Sequence, residues 1–249
     1  MTHIDFLGPP GAGKSTIFSK LISSNTFYGG AKDDAVRRMF LQKAELKYRV
    51  PYRVTPSIIR SFFEDEFIQY RFGHIALEEF IRDHPNFMRT LSATMDSVSY
   101  EPERVFSLCR RSAERYQLGK STVNKRETLC LDESFAQRAF TILWREPDKS
   151  FSLDTYFNNV PTPEVVIHVD APVDLCLERQ RERGRVEVAK DWGTGDPKTV
   201  QGNARELCLS VANHLSNDTS VVTIENTETV EKAVNKIKMK IPKQKDYDK

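Results

Sequence analysis

Four short apolar runs, each closed by a glycine or an acid, punctuate an otherwise polar chain. Ile4-Asp5-Phe6-Leu7 runs into Gly8, Thr128-Leu-Cys-Leu131 into Asp132, Val165-Val-Ile-His-Val169 into Asp170, and Val221-Val-Thr-Ile224 into Glu225. Runs this short and this rich in branched residues read as buried strands, and the long segments between them leave room for crossover helices. The pattern predicts an α/β protein built on a parallel sheet with helices on both faces. A further strand near Phe27 to Gly29 makes the expected sheet five-stranded, in a three-layer α/β/α arrangement. Ile17, Phe18, Leu21 and Ile22 recur at helical spacing after the first run. Ile58, Ile59, Phe62, Phe63, Phe67 and Tyr70, then Ile75, Ala76, Phe80 and Ile81, do so before a break at His84-Pro85. These aromatics read as packing surface rather than as a platform for stacking a base.

Between the first run and its helix lies Gly8-Pro-Pro-Gly-Ala-Gly-Lys-Ser15, a complete G-x-x-x-x-G-K-S loop in the strand-to-helix context that the motif requires. Glycines let successive N–H groups turn inward around phosphate oxygens. The helix N-terminus that follows adds unpaired donors and the positive end of its dipole. Gly8, Gly11, Ala12, Gly13, Lys14, Ser15 and Thr16 are therefore the candidate nucleotide-binding set. Lys14 is suited to the β- and γ-phosphates, the Ser15 hydroxyl to Mg²⁺, and Thr16 to the α-phosphate.

The 249 residues suffice for one α/β core with an inserted region. Cys109, Cys130, Cys176 and Cys208 are scattered without a C-x-x-C pair, so buried free thiols in a reducing, cytoplasmic setting are expected. The first strand begins at once, and nowhere do about 18 apolar residues run together, so neither an export signal nor a membrane span is expected. A balance of 37 basic against 35 acidic residues, net +2, argues against a dedicated nucleic-acid binder. The basic stretch from Lys236 to Lys249 reads as a solvated, fraying tail.

Other residues add chemistry. Asp132-Glu133-Ser134 closes an apolar run, where open α/β sheets place their ligands. There Asp132 is suited to ordering Mg²⁺ and Glu133 to accepting a proton from a nucleophilic hydroxyl. The same residues also suit a cap for a helix starting at Phe135. Arg138, one turn along, faces either the site or an acid. Arg179 and Arg183 share a helix face four residues apart, and Arg185 follows Gly184. Guanidinium groups keep their charge and grip phosphate in a fork. Arg37-Arg38 and Arg110-Arg111 are candidate clamps for an acceptor phosphate, with solvated surface as the ordinary explanation.

Taken together, the loop from Gly8 to Thr16, Asp132-Glu133-Ser134, the segment Val165 to Arg185 and Val222-Thr-Ile-Glu-Asn-Thr227 resemble the P-loop kinases, in their nucleoside and nucleoside monophosphate (thymidylate kinase-like) branch. The resemblance implies a P-loop NTPase fold. Its core would span residues 1–30 and 121–240, with a helical acceptor-binding insertion at about 30–120, an arginine-rich lid at about 179–200 and a flexible tail at 241–249. It implies that Arg179, Arg183 and Arg185 belong to the lid and that Asn226 or Thr227 lies near the base. Ser15 stands where adenylate kinases have glycine, and D-E-S replaces the D-R-Y/H of thymidylate kinases and the E-R-S of deoxynucleoside kinases.

The expected activity is ATP- and Mg²⁺-dependent phosphoryl transfer to a small-molecule acceptor. Lys14, Asp132, Glu133, Arg183 and Arg185 form the catalytic set, Ser15 and Asp132 hold the metal, and Arg138, Arg110 and Arg37 touch the acceptor. Glu133 favours a hydroxyl acceptor (a nucleoside, sugar or other alcohol) over a monophosphate. The alternative is a regulatory NTP-binding module that acts on a partner protein. Oligomeric state stays open, a homodimer included.

Overall fold

The computed structural model describes residues 2–24, 54–56, 69–98, 101–122, 128–145, 151–184 and 195–241. The apolar runs form β1 (Thr2–Leu7), β2 (Thr128–Leu131), β3 (Val165–Asp170) and β4 (Ser220–Glu225). All pair in parallel in the order β2-β1-β3-β4. β1 is central, with Ile4 beside Cys130 on one flank and Phe6 beside Ile167 on the other. The candidate fifth strand near Phe27 to Gly29 lies outside the described residues, as do Ile58 to Phe67.

Helices cover both faces. Ile4, Phe6, Val165, Ile167, Val169, Val222 and Ile224 pack toward α1 (Lys14–Ser23) and a C-terminal helix, Val230–Lys240, through Ile17, Leu21, Ala233, Val234 and Ile237. The opposite face carries α2 (Gln69–Asp83), α3 (Phe87–Ser97), α4 (Pro102–Thr122), α5 (Phe135–Arg145) and α6 (Leu153–Phe157). α7 (Val173–Glu182) follows β3 and sets Cys176 in the cluster on the α1 side. Then comes α8 (Pro197–Leu215), and the C-terminal helix is α9. Alternation along each strand decides these sides: period two sends Val165, Ile167 and Val169 one way and Val166 the other. The three layers expected from the sequence are therefore present.

α9 corrects one expectation. Lys236 to Lys240 are not a fraying tail, because Ala233, Val234 and Ile237 form an i, i+1, i+4 stripe buried among the α1 residues. The lysines between them are simply its wet side, and residues 242–249 lie outside the described part.

The described part of the insertion shares the sheet's core. Phe80 of α2 is fully buried. It meets Phe87 edge-on at 4.9 Å, Tyr116 at 6.0 Å and Phe135 of α5, stacked, at 5.8 Å between ring centroids. At the far end of α5 the buried Arg145 donates to Glu101, just before α4, at 2.6 Å. α2 ends at Asp83, at the predicted His84-Pro85 break. All four cysteines are buried and free. Burial pushes the Cys109 and Cys130 thiols up to about 12, so they are packing groups rather than nucleophiles. Among the described residues no helix is long and apolar enough to cross a membrane.

Removing the Phe80 ring would leave a cavity where α2, α3, α4 and α5 meet. Phe80→Ala should lower the unfolding free energy by about 3–5 kcal/mol in urea titrations. Ile75→Ala, on the exposed side of the same helix, should stay within about 0.5 kcal/mol. Equal losses would mean that α2 does not share the core.

Candidate functional site

The chain crosses from β1 to β2 on one side and from β3 to β4 on the other, so a crevice opens at the carboxyl ends of β1 and β3. The glycine loop fills it. Gly11 and Gly13 have φ of 80° and 94°, the left-handed region open to glycine. A Cβ at Gly11 would strike the Cys176 carbonyl of α7, and one at Gly13 would strike the Asn226 amide after β4. Loop, helix and strand end are thus in van der Waals contact.

Side chains hold the carbonyl oxygens of the loop from outside. Pro10 O accepts from Gln201 at 2.9 Å and Gln180 at 3.2 Å, while Ala12 O accepts from Asn226 at 2.7 Å and Arg179 at 3.2 Å. A trans peptide points its C=O and its next N–H in opposite directions, so these bonds turn the Gly11 and Gly13 amides toward the inside of the loop. Lys14 Nζ donates to Gly8 O at 2.6 Å and Pro9 O at 3.1 Å. α1 begins at Lys14 with no acid in its first turn, and Ser15 and Thr16 are exposed there. Inward amides, a lysine and a helix N-terminus together fit a chain of phosphates.

Asp132, Glu133 and Ser134 follow β2 directly. Glu133 Oε2 accepts from Arg138 Nη2 at 2.8 Å, and Arg138, 5% exposed, also donates through Nε to Ser112 of α4 at 3.1 Å. Burial pushes the Glu133 carboxyl up, but Arg138, then Lys14 and Arg115, outweigh it and hold it below the ordinary range. The Lys14 contribution puts the glycine loop and the acid in one electrostatic field. Asp132 moves the other way: burial raises it, Glu133 raises it further, and Arg115, 3.9 Å away, only partly opposes them. Glu133 thus stays ionised and able to accept a proton, although its lowered pKa makes it the weaker base of the two, and Asp132 is the acid most relieved by a cation.

The capping alternative for these residues is not what α5 uses. Ser134 Oγ is buried with no partner among the described residues. The first turn of α5 donates instead, from Ala136 N, to Asp5 Oδ2 of β1 at 3.2 Å. Asp5 Oδ1 lies 2.6 Å from His3 Nε2. Gln137 Oε1 accepts from the Gly8 amide at 3.2 Å. Nothing local in the sequence marks Gln137, Gln180 or Gln201 for such a role. Only an apolar-run position occupied by a polar residue, as at Asp5, signals such a role.

The arginines separate. Arg179 reaches Ala12 O and, at 3.0 Å, Asn226 O, so it clasps the loop. Arg183 is exposed at the end of α7, and Thr227 is exposed after β4. Arg110 pairs with Glu114 at 3.2 Å on α4. Arg37 and Arg185 lie outside the described residues. A further arginine, Arg205 of α8, forks onto Asp170 at the end of β3, with bonds of 2.7 Å and 2.6 Å.

No family model matches the chain. No curated protein matches it either. Structures of deoxyadenosine kinase from M. mycoides with bound dCTP and with bound dATP align over 96% of this chain and 98% of theirs, at 13% identity and a TM-score of 0.49. A third, with the products dCMP and a flexible dCDP, aligns over the same shares at 12% identity and a TM-score of 0.48. Likeness at this level carries no weight for function.

The Asp170 fork makes a pH prediction. Burial pushes its carboxyl up, Arg205 outweighs that, and the result lies below the ordinary value. A carboxylate depressed in the fold stabilises it above the unfolded value of about 3.9, and the contribution is lost as pH falls through the lower folded value. Asp170→Asn should therefore lower the urea midpoint at pH 7 and flatten the loss of stability seen below about pH 4. An acid slope equal to wild type would contradict the pairing.

Proposed function

We propose that the chain is an ATP- and Mg²⁺-dependent kinase of a small-molecule hydroxyl acceptor. The single observation carrying this reading is that Glu133, ionised and fixed by Arg138, lies in the field of Lys14 beside a phosphate loop whose amides face inward. A loop alone suits any nucleotide binder; an oriented carboxylate at the neighbouring strand end suits proton removal from an incoming hydroxyl. The acceptor side also carries Asp132, so a phosphate there would meet two carboxylates, and Arg138 is already committed to one of them. A nucleoside, sugar or other alcohol therefore fits better than a monophosphate.

Each residue then has a task. The inward amides and Lys14 hold the β- and γ-phosphates and stabilise charge as the phosphoryl group moves. Lys14 leaves Gly8 O and Pro9 O to do so. Ser15, on the exposed first turn of α1, and Asp132 are the residues that would hold Mg²⁺, which when bound neutralises charge on the phosphates. Glu133 accepts the hydroxyl proton, and Arg138 keeps the carboxylate aimed. Arg183 and Arg185 belong in this reading to a segment that covers the phosphates, and Thr227 to the surface near the base.

Lys14→Ala should slow phosphoryl transfer on the order of a thousandfold with the circular dichroism unchanged. Glu133→Gln should reduce kcat by about 10²- to 10⁴-fold with ATP affinity little altered. Both are measured by ATP consumption across nucleosides, monophosphates, sugars and amino alcohols, with products identified by mass. Tight ATP binding with no turnover on any acceptor would favour the regulatory module instead.

A further inference from the structure

Not every carbonyl of the phosphate loop is held in the same way, and the difference follows the prolines. Gly8 O is held by Lys14, Pro9 O by Lys14 and by the Ala12 amide at 3.2 Å, and the residues after them, Pro9 and Pro10, have no N–H to offer. Pro10 O and Ala12 O precede Gly11 and Gly13, which do. These two are held by side chains from other elements, which stay in place when Lys14 turns to phosphate. On Pro10 O the holders are two buried glutamines from different helices, Gln180 on α7 and Gln201 on α8. They are also bonded to each other, Gln180 Nε2 to Gln201 Oε1 at 3.0 Å, which fixes both amide orientations. Two donors use both lone pairs of one carbonyl oxygen, so the Pro10–Gly11 peptide has one orientation left.

We infer that Gln180 and Gln201 are positioning residues that aim the Gly11 N–H at a bound triphosphate. The inference rests on the kinase reading of the loop but assigns a role outside it. Neither glutamine touches substrate. Each acts through the Pro10–Gly11 peptide, whose free rotation would otherwise let the donor swing out of the nest. A contact of that kind is made equally in ground and transition states, so its loss weakens nucleotide binding and spares the chemical step. Both glutamines are buried, so a methionine in place of either sets an apolar side chain against the carbonyl where an amide donor stood, which is costly.

The test uses the full chain with Gln201→Met, which keeps the length and removes the amide, and Gln180→Met, which removes the other donor from a different helix. Gln201→Glu is the third variant and keeps the shape while turning donor into acceptor. For each, dissociation constants for MgATP and for inorganic tripolyphosphate are measured, with KM for ATP, KM for the acceptor and kcat. The expected result is an approximately tenfold rise in both dissociation constants and in KM for ATP, with kcat and acceptor KM within about twofold. Wild-type affinity for tripolyphosphate in folded Gln201→Met and Gln180→Met would overturn the inference and leave the kinase reading standing. A fall in kcat alone, or a loss confined to ATP and absent for tripolyphosphate, would also overturn it. Absence of tripolyphosphate and MgATP binding by the wild-type chain would overturn both readings together.

Discussion

The site depends on which way the peptide planes of one short loop face. A phosphate nest needs N–H groups on its inner side, and a peptide can present them only if its carbonyls are satisfied on the outer side. Here that satisfaction is supplied from far along the chain. Gln180, Gln201, Arg179 and Asn226 reach back 167 to 214 residues to Pro10 and Ala12. Lysine and glycine give the loop its charge and its conformational range, whereas these distant side chains give it a direction.

The sheet explains why those residues can meet the loop at all. With β1 between β2 and β3, the crevice at the strand ends gathers the loop after β1, the acids after β2, the start of α7 after β3 and the Asn226 turn after β4. Asn226 N donates to Asp170 O at 2.7 Å, which joins the last two of these. Asp5 then ties β1 to the first turn of α5, the helix that carries Arg138 and Gln137. A shift of β1 would therefore disturb the loop, the acid and its arginine together.

The strands were legible because apolar runs ending in a glycine or an acid have few other uses, and the loop was legible because its glycines, lysine and serine are local in sequence. The glutamine bracket was not. Glutamine on a helix looks like solvated surface, and only the long-range contact shows Gln180 and Gln201 to be buried. The charge of Arg179 suggests a phosphate ligand, but its fork lands on backbone oxygens of the loop and of Asn226. The capping alternative at Ser134 does not hold, because a side chain from β1, not the adjacent hydroxyl, takes the first-turn amide. At Lys236 to Lys240, charge hid an amphipathic stripe of buried alanine, valine and isoleucine.

The inward orientation of the loop amides can be observed directly. In ¹⁵N-labelled protein titrated with MgATP, the account predicts that the Gly11, Gly13 and Lys14 amide signals move downfield with one saturating isotherm, as donors to charged phosphate oxygens do. It predicts that inorganic tripolyphosphate moves the same signals in the same direction. Saturable MgATP binding that leaves these amides unmoved while others shift would show that the loop is not the phosphate site, and would contradict the account at its centre.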